Sequence, residues 1–187
     1  MNIKYHDIKH LLHGISERNS MDESEVSQIR ELVDSYENTY HTANGALNVV
    51  LNEKSAVCMK NGIDFSCIAD AAMLDFMSET DVYVLFGNML DNAIEAVCCL
   101  PKDKRSIGVL VKPQGEIVVI TVYNGYDGVL KFENGLPVTR KADKAEHGYG
   151  LKSIRRIVHR YDGDMRISTD DGLFEITLIF QSAPTTA

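Results

Sequence analysis

The hydrophobic residues of this 187-residue chain follow two different periods, and the change lies near Gly62. Before Gly62, apolar residues recur at alternating steps of three and four, which is typical of one long helix with a coiled-coil-like seam. A shorter segment ahead of it repeats these steps, with the polar stretch 17–22 as the turn. The long seam comprises Val26, Ile29, Val33, Tyr36, Tyr40, Ala43, Leu47 and Val50, and the short one Tyr5, Ile8, Leu12 and Ile15. The pattern predicts a helical hairpin.

The two predicted helices are unequal in length. At about 1.5 Å of rise per residue, the second would be more than twice as long as the first, so much of its seam has no partner within the hairpin. Either another chain covers that seam or the first helix continues upstream of Met1. We therefore expect a homodimer through the helical hairpin.

Beyond Gly62 the pattern changes to strands and helices. It predicts strands at 63–67, 107–112 and 116–123, helices at 80–99 and 148–161, and a closing hairpin of strands at 165–169 and 173–180. Tight turns are expected at Pro113-Gln114-Gly115 and Asp170-Asp171-Gly172. The chain is thus predicted to have a helical domain at 1–61 and an α/β domain at 62–187.

Charge and cysteine content exclude several classes of function. With 27 acidic and 19 basic residues the net charge is −8, which removes the electrostatic basis of nucleic-acid binding. No stretch approaches the roughly 20 apolar residues of a membrane span, and the first residues lack the apolar core of a signal peptide. The four cysteines show no paired metal-binding spacing. We expect a soluble chain in a reducing cytoplasm, with no nucleic-acid partner and no membrane contact.

The helix predicted at 80–99 contains two amides among apolar residues. Asn88 and Asn92 are four apart and point the same way on a helix. They could simply cap the helix or face solvent, but Asn92 lies between Leu90 and Ala93, where an unpartnered buried amide is costly. An amide that faces a cavity suits Mg²⁺, which accepts one or two protein oxygens beside water and phosphate.

A second motif, HGYGL at 147–151, opens the helix predicted at 148–161. Gly148 and Gly150 would present bare backbone N–H groups at the positive end of a helix dipole, where an anion binds. An equally simple interpretation is that the glycines only permit a tight turn. Lys152 adds positive charge just inside the helix. Together with the amide pair and the long loop between them, this motif predicts a nucleotide site.

These motifs, in this order, resemble a known family. The succession NxxxNA, strand, NGYDG, loop, HGYGL and strand hairpin is similar to the nucleotide-binding domain shared by DNA gyrase B, the Hsp90 chaperones, the MutL mismatch-repair proteins and the sensor histidine kinases. The segments YHDIKHLL, LDNAIEA and GLP resemble the kinases that act as peptide-pheromone sensors. The resemblance spans about residues 5–180. It implies a two-layer α/β sandwich that binds ATP, with a mixed sheet and helices on one face, behind a long helical hairpin for dimerisation and phosphorylation.

The resemblance implies roles for individual residues. Asn92 would hold Mg²⁺ and Asn88 would lie near the phosphates, where gyrase B and Hsp90 have a glutamate that activates water. Because a neutral amide is no general base, Asn88 favours a kinase over an ATPase. Asn124 would accept the adenine amino group in place of the usual aspartate, and Tyr126 replaces a glycine of that pattern. The remaining expected ATP-binding residues are Gly128, Gly148, Gly150, Leu151 and Lys152.

His6, His10 and His13 lie on one face of the first predicted helix. Two such histidines can share a zinc ion, and isolated histidines are ordinarily solvent-facing. The resemblance selects His6 because Asp7 follows it directly. An imidazole is a good nucleophile towards phosphorus, and a neighbouring carboxylate can orient the ring and accept its proton. His6 and Asp7 are therefore the expected catalytic pair.

Sequence and resemblance together predict the core of a sensor histidine kinase in a two-component system. It would use ATP and Mg²⁺ to phosphorylate His6 and pass the phosphoryl group to an aspartate on a response-regulator protein, with the loop 129–147 as a lid. We expect it to be the cytoplasmic part of a membrane-anchored sensor. The alternatives are a non-catalytic nucleotide-binding partner that regulates a kinase, and an ATPase of the gyrase and Hsp90 type.

Overall fold

The computed structural model describes residues 40–128, 132–133, 136–137 and 149–181. The chain divides into two units, Met1–Tyr40 and His41–Ala187, and nearly all described residues belong to the second. The predicted hairpin up to residue 39, including His6 and Asp7, lies outside the described residues. So do Gly148 and most of the predicted lid.

The described residues form seven strands: β1 Asp64–Ala69, β2 Ser106–Gln114, β3 Ile117–Gly125, β4 Phe132–Glu133, β5 Leu136–Pro137, β6 Asp164–Asp170 and β7 Leu173–Gln181. Five of them form one mixed sheet in the order β1-β2-β3-β7-β6. β1 is parallel to β2, and the other neighbouring pairs in this sheet are antiparallel. The two very short strands, β4 and β5, pair separately.

The same described residues contain three α-helices, α1 Gly45–Lys60, α2 Glu79–Cys98 and α3 Tyr149–Arg160. Short 3₁₀ turns lie at Ala71–Leu74 and Lys102–Lys104.

The core lies between the helices and one face of the sheet. Alternate residues of the three central strands face it, in rows that the register aligns across the sheet. These buried residues are Val109, Val111, Val118, Ile120, Val122, Ile176, Leu178 and Phe180. The helices contribute Leu47, Leu51, Leu85, Phe86, Met89, Ile154 and Ile157. The opposite face is more open, and Ile68 is 63% exposed there. The predicted α/β architecture, with helices on one face of a mixed sheet, is confirmed.

The predicted strands and the two later helices are present, with one turn displaced. β2 continues through Gln114, so the turn to β3 falls on Gly115 and Glu116. Gly115 has a φ of +63°, a conformation that favours glycine. The closing hairpin turns where predicted, at Asp171 and Gly172, with φ angles of +47° and +77°. Two positive φ angles are typical of the type I′ turn that matches strand twist.

The long helix predicted to run past residue 40 is not continuous. Residues 41–44 are non-helical, and Asn44 caps α1 by accepting a 2.9 Å hydrogen bond from the Leu47 N–H. Leu47 and Val50 are fully buried, so these members of the predicted seam belong to the α/β core. The chain therefore divides between Tyr40 and His41, rather than at Gly62.

One arginine satisfies the carbonyl groups at the ends of two helices. Arg105 donates from Nε to the Leu100 carbonyl at 2.9 Å and from Nη2 to the Cys98 carbonyl at 3.1 Å, both at the end of α2. Its Nη1 donates to the Asn61 carbonyl, just after α1, at 2.9 Å. The last carbonyls of a helix have no partner within it, so Arg105 fixes α1 and α2 beside the start of β2.

Candidate functional site

The two predicted motifs meet between α2 and α3. Gly150 lies in the first turn of α3, and a Cβ built on it would be 3.4 Å from Asn88 Oδ1 and 3.4 Å from both amide atoms of Asn92. Asn88 Nδ2 donates to the Val84 carbonyl at 2.7 Å, one turn earlier in α2, which leaves its oxygen towards Gly150. The amide pair and the glycine turn therefore form one cradle, far apart in sequence and in contact in space.

Asn92 is incompletely satisfied. Within the described part of the chain, its Nδ2 is buried and has no hydrogen-bond partner. Leaving a buried polar group unsatisfied costs about 1–3 kcal/mol, and such groups in native proteins call for an explanation such as a ligand. Rotation of the amide exchanges its oxygen and nitrogen, so this position can offer either a metal ligand or a donor. The cradle has the composition that a hydrated Mg²⁺ ion with phosphates requires.

The far end of α3 is tied to the start of α2. The Asp81 carboxylate accepts from Arg160 Nη1 at 2.7 and 2.9 Å, from the Tyr161 hydroxyl at 2.7 Å and from Ser78 Oγ at 3.0 Å. The Tyr161 hydrogen bond, helped by those from Arg160 and Ser78, lowers the pKa of Asp81 against the opposing effect of burial. Because α3 ends at this clamp, the two helices are antiparallel and Gly150 is held level with Asn88 and Asn92.

Asn124 lies near the end of β3 and is 2% exposed. Its Nδ2 donates to the Gly125 carbonyl at 2.7 Å, so the side chain presents its oxygen as an acceptor. Gly125 itself lies against the 3₁₀ turn Lys102–Lys104, since a Cβ there would be 2.6 Å from the Lys104 carbonyl oxygen. Gly128 follows with a φ of +140°, which also favours glycine.

The other predicted site residues are only partly placed by the structure. Leu151 is half-buried and Lys152 exposed in the first turns of α3. Gly148, His6 and Asp7 lie outside the described residues. The structure thus brings together Asn88, Asn92 and Gly150.

The sequence patterns did not reveal an ion-paired lysine beside α2, the helix that contains Asn88 and Asn92. Lys54 Nζ, on α1, lies 2.9 Å from Asp91 Oδ1 and 3.0 Å from Glu53 Oε1. Partial burial lowers the pKa of Lys54, but its hydrogen bonds to these carboxylates outweigh that effect and the pKa is raised. Asp91 directly precedes Asn92, so this ion pair joins α1 to α2 one residue from the predicted site. No periodic pattern could reveal it, because its partners are on different helices.

Comparisons with known proteins agree with this geometry. Residues 77–181 match the family model described as the GHKL domain. The chain belongs to the GHKL family. It is similar to sensor histidine kinase DpiB of Escherichia coli strain K12, at 31% identity over 101 residues, and to sensor histidine kinase CitA of Klebsiella pneumoniae, at 30% over 113 residues. These matches cover 51% and 57% of this chain, but only 18% and 20% of those two proteins.

Solved structures share the fold of this GHKL chain. The catalytic domain of histidine kinase ThkA superposes with a TM-score of 0.58 at 18% identity, covering 77% of this chain and 95% of that domain. Full-length ShkA in complex with AMPPNP gives a TM-score of 0.55 at 17% identity, covering 96% of this chain and 45% of ShkA. Within the described residues, no helix is long and apolar enough to cross a membrane.

Proposed function

We propose that this chain is the catalytic core of a sensor histidine kinase, which binds ATP with Mg²⁺ in its GHKL domain and phosphorylates its own His6. The observation that carries the nucleotide site is the contact of Gly150 with Asn88 and Asn92. That cradle joins amide oxygens to the backbone N–H groups of a helix start, the groups that bind a metal-bound phosphate chain.

Each predicted site residue has a role in this proposal. Asn92 supplies an oxygen to Mg²⁺, and its unsatisfied amide is consistent with a ligand that completes its contacts. Asn88 lies beside the phosphates. These phosphates are also bound by the backbone N–H groups near Gly148 and Gly150 and by the positive charge of Lys152. Asn124 accepts the adenine amino group through Oδ1, and Gly128 and Leu151 border the nucleotide.

A histidine acceptor suits this site better than water. Asn88 is neutral and donates to its own helix, so it does not deprotonate water. In the proposed reaction, a ring nitrogen of His6 attacks the γ-phosphorus as the bond to the departing ADP oxygen breaks. Asp7 orients the ring and accepts the displaced proton. The phosphoryl group then passes to an aspartate of a response-regulator protein.

The wider setting of the proposal follows the sequence motifs. YHDIKHLL and LDNAIEA favour the subgroup of peptide-pheromone sensors. The chain would act as a homodimer in the cytoplasm, as the inner part of a membrane-anchored sensor. Both curated relatives are named sensor histidine kinases, which supports this proposal.

Incubation of the full chain with γ-labelled ATP and Mg²⁺ tests the proposal. We expect the label to stay on the protein and to be acid-labile and alkali-stable, because protonation of the ring nitrogen makes a phosphoramidate depart easily. His6→Gln should abolish labelling without weakening ATP binding, and the matched control His10→Gln should still be labelled. Asp7→Asn should slow labelling by about 10²- to 10⁴-fold.

Three results would contradict parts of the proposal. Labelling that survives His6→Gln would place the acceptor elsewhere. Steady phosphate release without labelling would support the ATPase alternative. Nucleotide binding with neither outcome would support a regulatory partner of another kinase.

A further inference from the structure

Two side chains in the described part of the chain carry a buried nitrogen or oxygen without a hydrogen-bond partner: Asn92 and Tyr126. Asn92 belongs to the proposed phosphate site. The other is the Tyr126 hydroxyl, two residues beyond Asn124. A buried tyrosine hydroxyl ordinarily finds a partner, so this one calls for an explanation.

A backbone hydrogen bond and a ring contact hold Tyr126 in place. Its N–H donates to the Gly172 carbonyl at 2.8 Å, which continues the pairing of β3 with the closing hairpin. Its ring centroid lies 6.1 Å from that of Phe174, the residue that pairs with Asn124 across the sheet. Tyr126 directly follows β3, and its contact with Phe174 places it on the side of the sheet that Asn124 faces.

We infer that the Tyr126 hydroxyl donates a hydrogen bond to the nucleoside part of the bound nucleotide and helps to select its base. The inference rests on the proposed ATP-binding function. Asn124 uses its nitrogen on the Gly125 carbonyl, so its oxygen can only accept. The Tyr126 hydroxyl supplies a donor two residues from this acceptor. A donor and an acceptor together are complementary to a 6-aminopurine, which offers an amino donor and ring-nitrogen acceptors. A 6-oxopurine would set its carbonyl oxygen against the Asn124 oxygen.

This assignment predicts effects of opposite sign on stability and on binding. In the free protein an unsatisfied buried hydroxyl is destabilising, so its removal leaves the fold at least as stable. In the complex the same hydroxyl makes a hydrogen bond, so its removal weakens binding. A purely structural tyrosine would not produce this combination.

The test is calorimetric titration of the full chain with ATP and with ADP, alongside thermal unfolding of the free protein. Tyr126→Phe should weaken the binding of ATP and of ADP by the same factor, about 2- to 10-fold. It should not lower the melting temperature of the free protein. ATP should bind more tightly than GTP, and the preference should narrow in the variant. The matched control is Tyr123→Phe, in β3 on the face opposite Asn124, where the Tyr123 ring lies over Gly108. It should leave both affinities unchanged.

The outcomes separate this inference from the function on which it rests. If the unsubstituted chain binds ATP and Tyr126→Phe binds it equally well, the inference fails and the proposed function stands. If Tyr126→Phe lost affinity for ATP but not for ADP, the hydroxyl would lie at the terminal phosphate, and the nucleoside assignment would be overturned. If Tyr126→Phe binds nucleotide less tightly and also has a lower melting temperature, the Tyr126 hydroxyl has a structural role and the inference fails. If the unsubstituted chain binds neither nucleotide, both proposals fail.

Discussion

At the scale of single residues, the absence of a side chain at Gly150 is the feature on which the proposed site depends most directly. A methyl group there would be in ordinary contact, at 3.4 Å, with Asn88 and Asn92, so Gly150→Ala should fold. The methyl would nevertheless occupy the cradle. We expect Gly150→Ala to weaken Mg²⁺·ATP binding about tenfold or more, a loss of about 1.4 kcal/mol, in a calorimetric titration.

Gly87→Ala is the control for this experiment. Gly87 directly precedes Asn88 in α2, and a Cβ there would meet only Val50 Cγ2, at 3.9 Å. This variant should bind Mg²⁺·ATP as the unsubstituted chain does. Equal affinity in Gly150→Ala would show that the nucleotide does not enter the cradle.

Sequence reasoning at this scale succeeded where spacing along one helix determines geometry. The four-residue step between Asn88 and Asn92 predicted a common direction, and both meet Gly150. It could not supply partners that tertiary packing brings together. Lys54 reaches Asp91 from another helix, and the Asp81 carboxylate accepts a hydrogen bond from Arg160 at the end of α3. The buried hydroxyl of Tyr126 likewise depends on the closing hairpin, which only the fold places beside it.

At the scale of elements, the packing of α3 on α2 depends on the Asp81 clamp. The pKa of Asp81 is lowered in the folded protein, first by the Tyr161 hydroxyl, so folding favours its ionised form. Its contribution is therefore complete above the unfolded carboxyl pKa of about 3.9 and is lost as the pH falls through the folded pKa. Asp81→Asn should reduce the free energy of unfolding by about 1–2 kcal/mol at neutral pH, in urea titrations.

The pH dependence of this difference identifies the charge as its cause. The gap between Asp81→Asn and the unsubstituted chain should narrow as the pH falls below about 4, because the unfolded carboxyl takes up a proton there first. The native carboxylate, whose pKa is lowered, follows at a lower pH. The control is Asp64→Asn, at an exposed position of β1. Its free energy of unfolding should differ little from that of the unsubstituted chain, both at neutral pH and at low pH. A gap for Asp81→Asn that stays constant with pH would mean that the clamp stabilises through packing alone.

The helix predicted to run past residue 40 shows why periodicity alone misleads at this scale. The steps from Ala43 to Leu47 to Val50 continue the earlier seam, although a new helix begins at Gly45. An apolar face at three- and four-residue steps packs equally well on a sheet-and-helix core and on another helix. The local signal was Asn44-Gly45, where Asn44 caps α1. The strands were more easily predicted, since their alternation leaves less ambiguity and their turns contain glycine.

At the scale of the whole molecule, the sequence patterns alone could not supply the strand order. The order β1-β2-β3-β7-β6 brings the last two strands beside the third. Hydrophobic alternation identifies strands and their buried faces, but it does not say which strands pair. The resemblance implied a mixed sheet but no strand order, so the order is known only from the structure.

The predicted homodimer now depends on fewer residues. Leu47 and Val50 are buried in the α/β core and do not contribute to a dimer seam. The seam that the sequence leaves for assembly consists of Val26, Ile29, Val33, Tyr36 and Tyr40. Five apolar residues at three- and four-residue steps still favour a shared helical bundle. We expect the full chain to sediment at twice its own mass and Val33→Glu to shift it towards monomer. Val49→Glu, at a position that is 58% exposed on α1, should remain dimeric. A monomeric unsubstituted chain at high concentration, or an unaffected Val33→Glu, would remove this seam as the dimer contact.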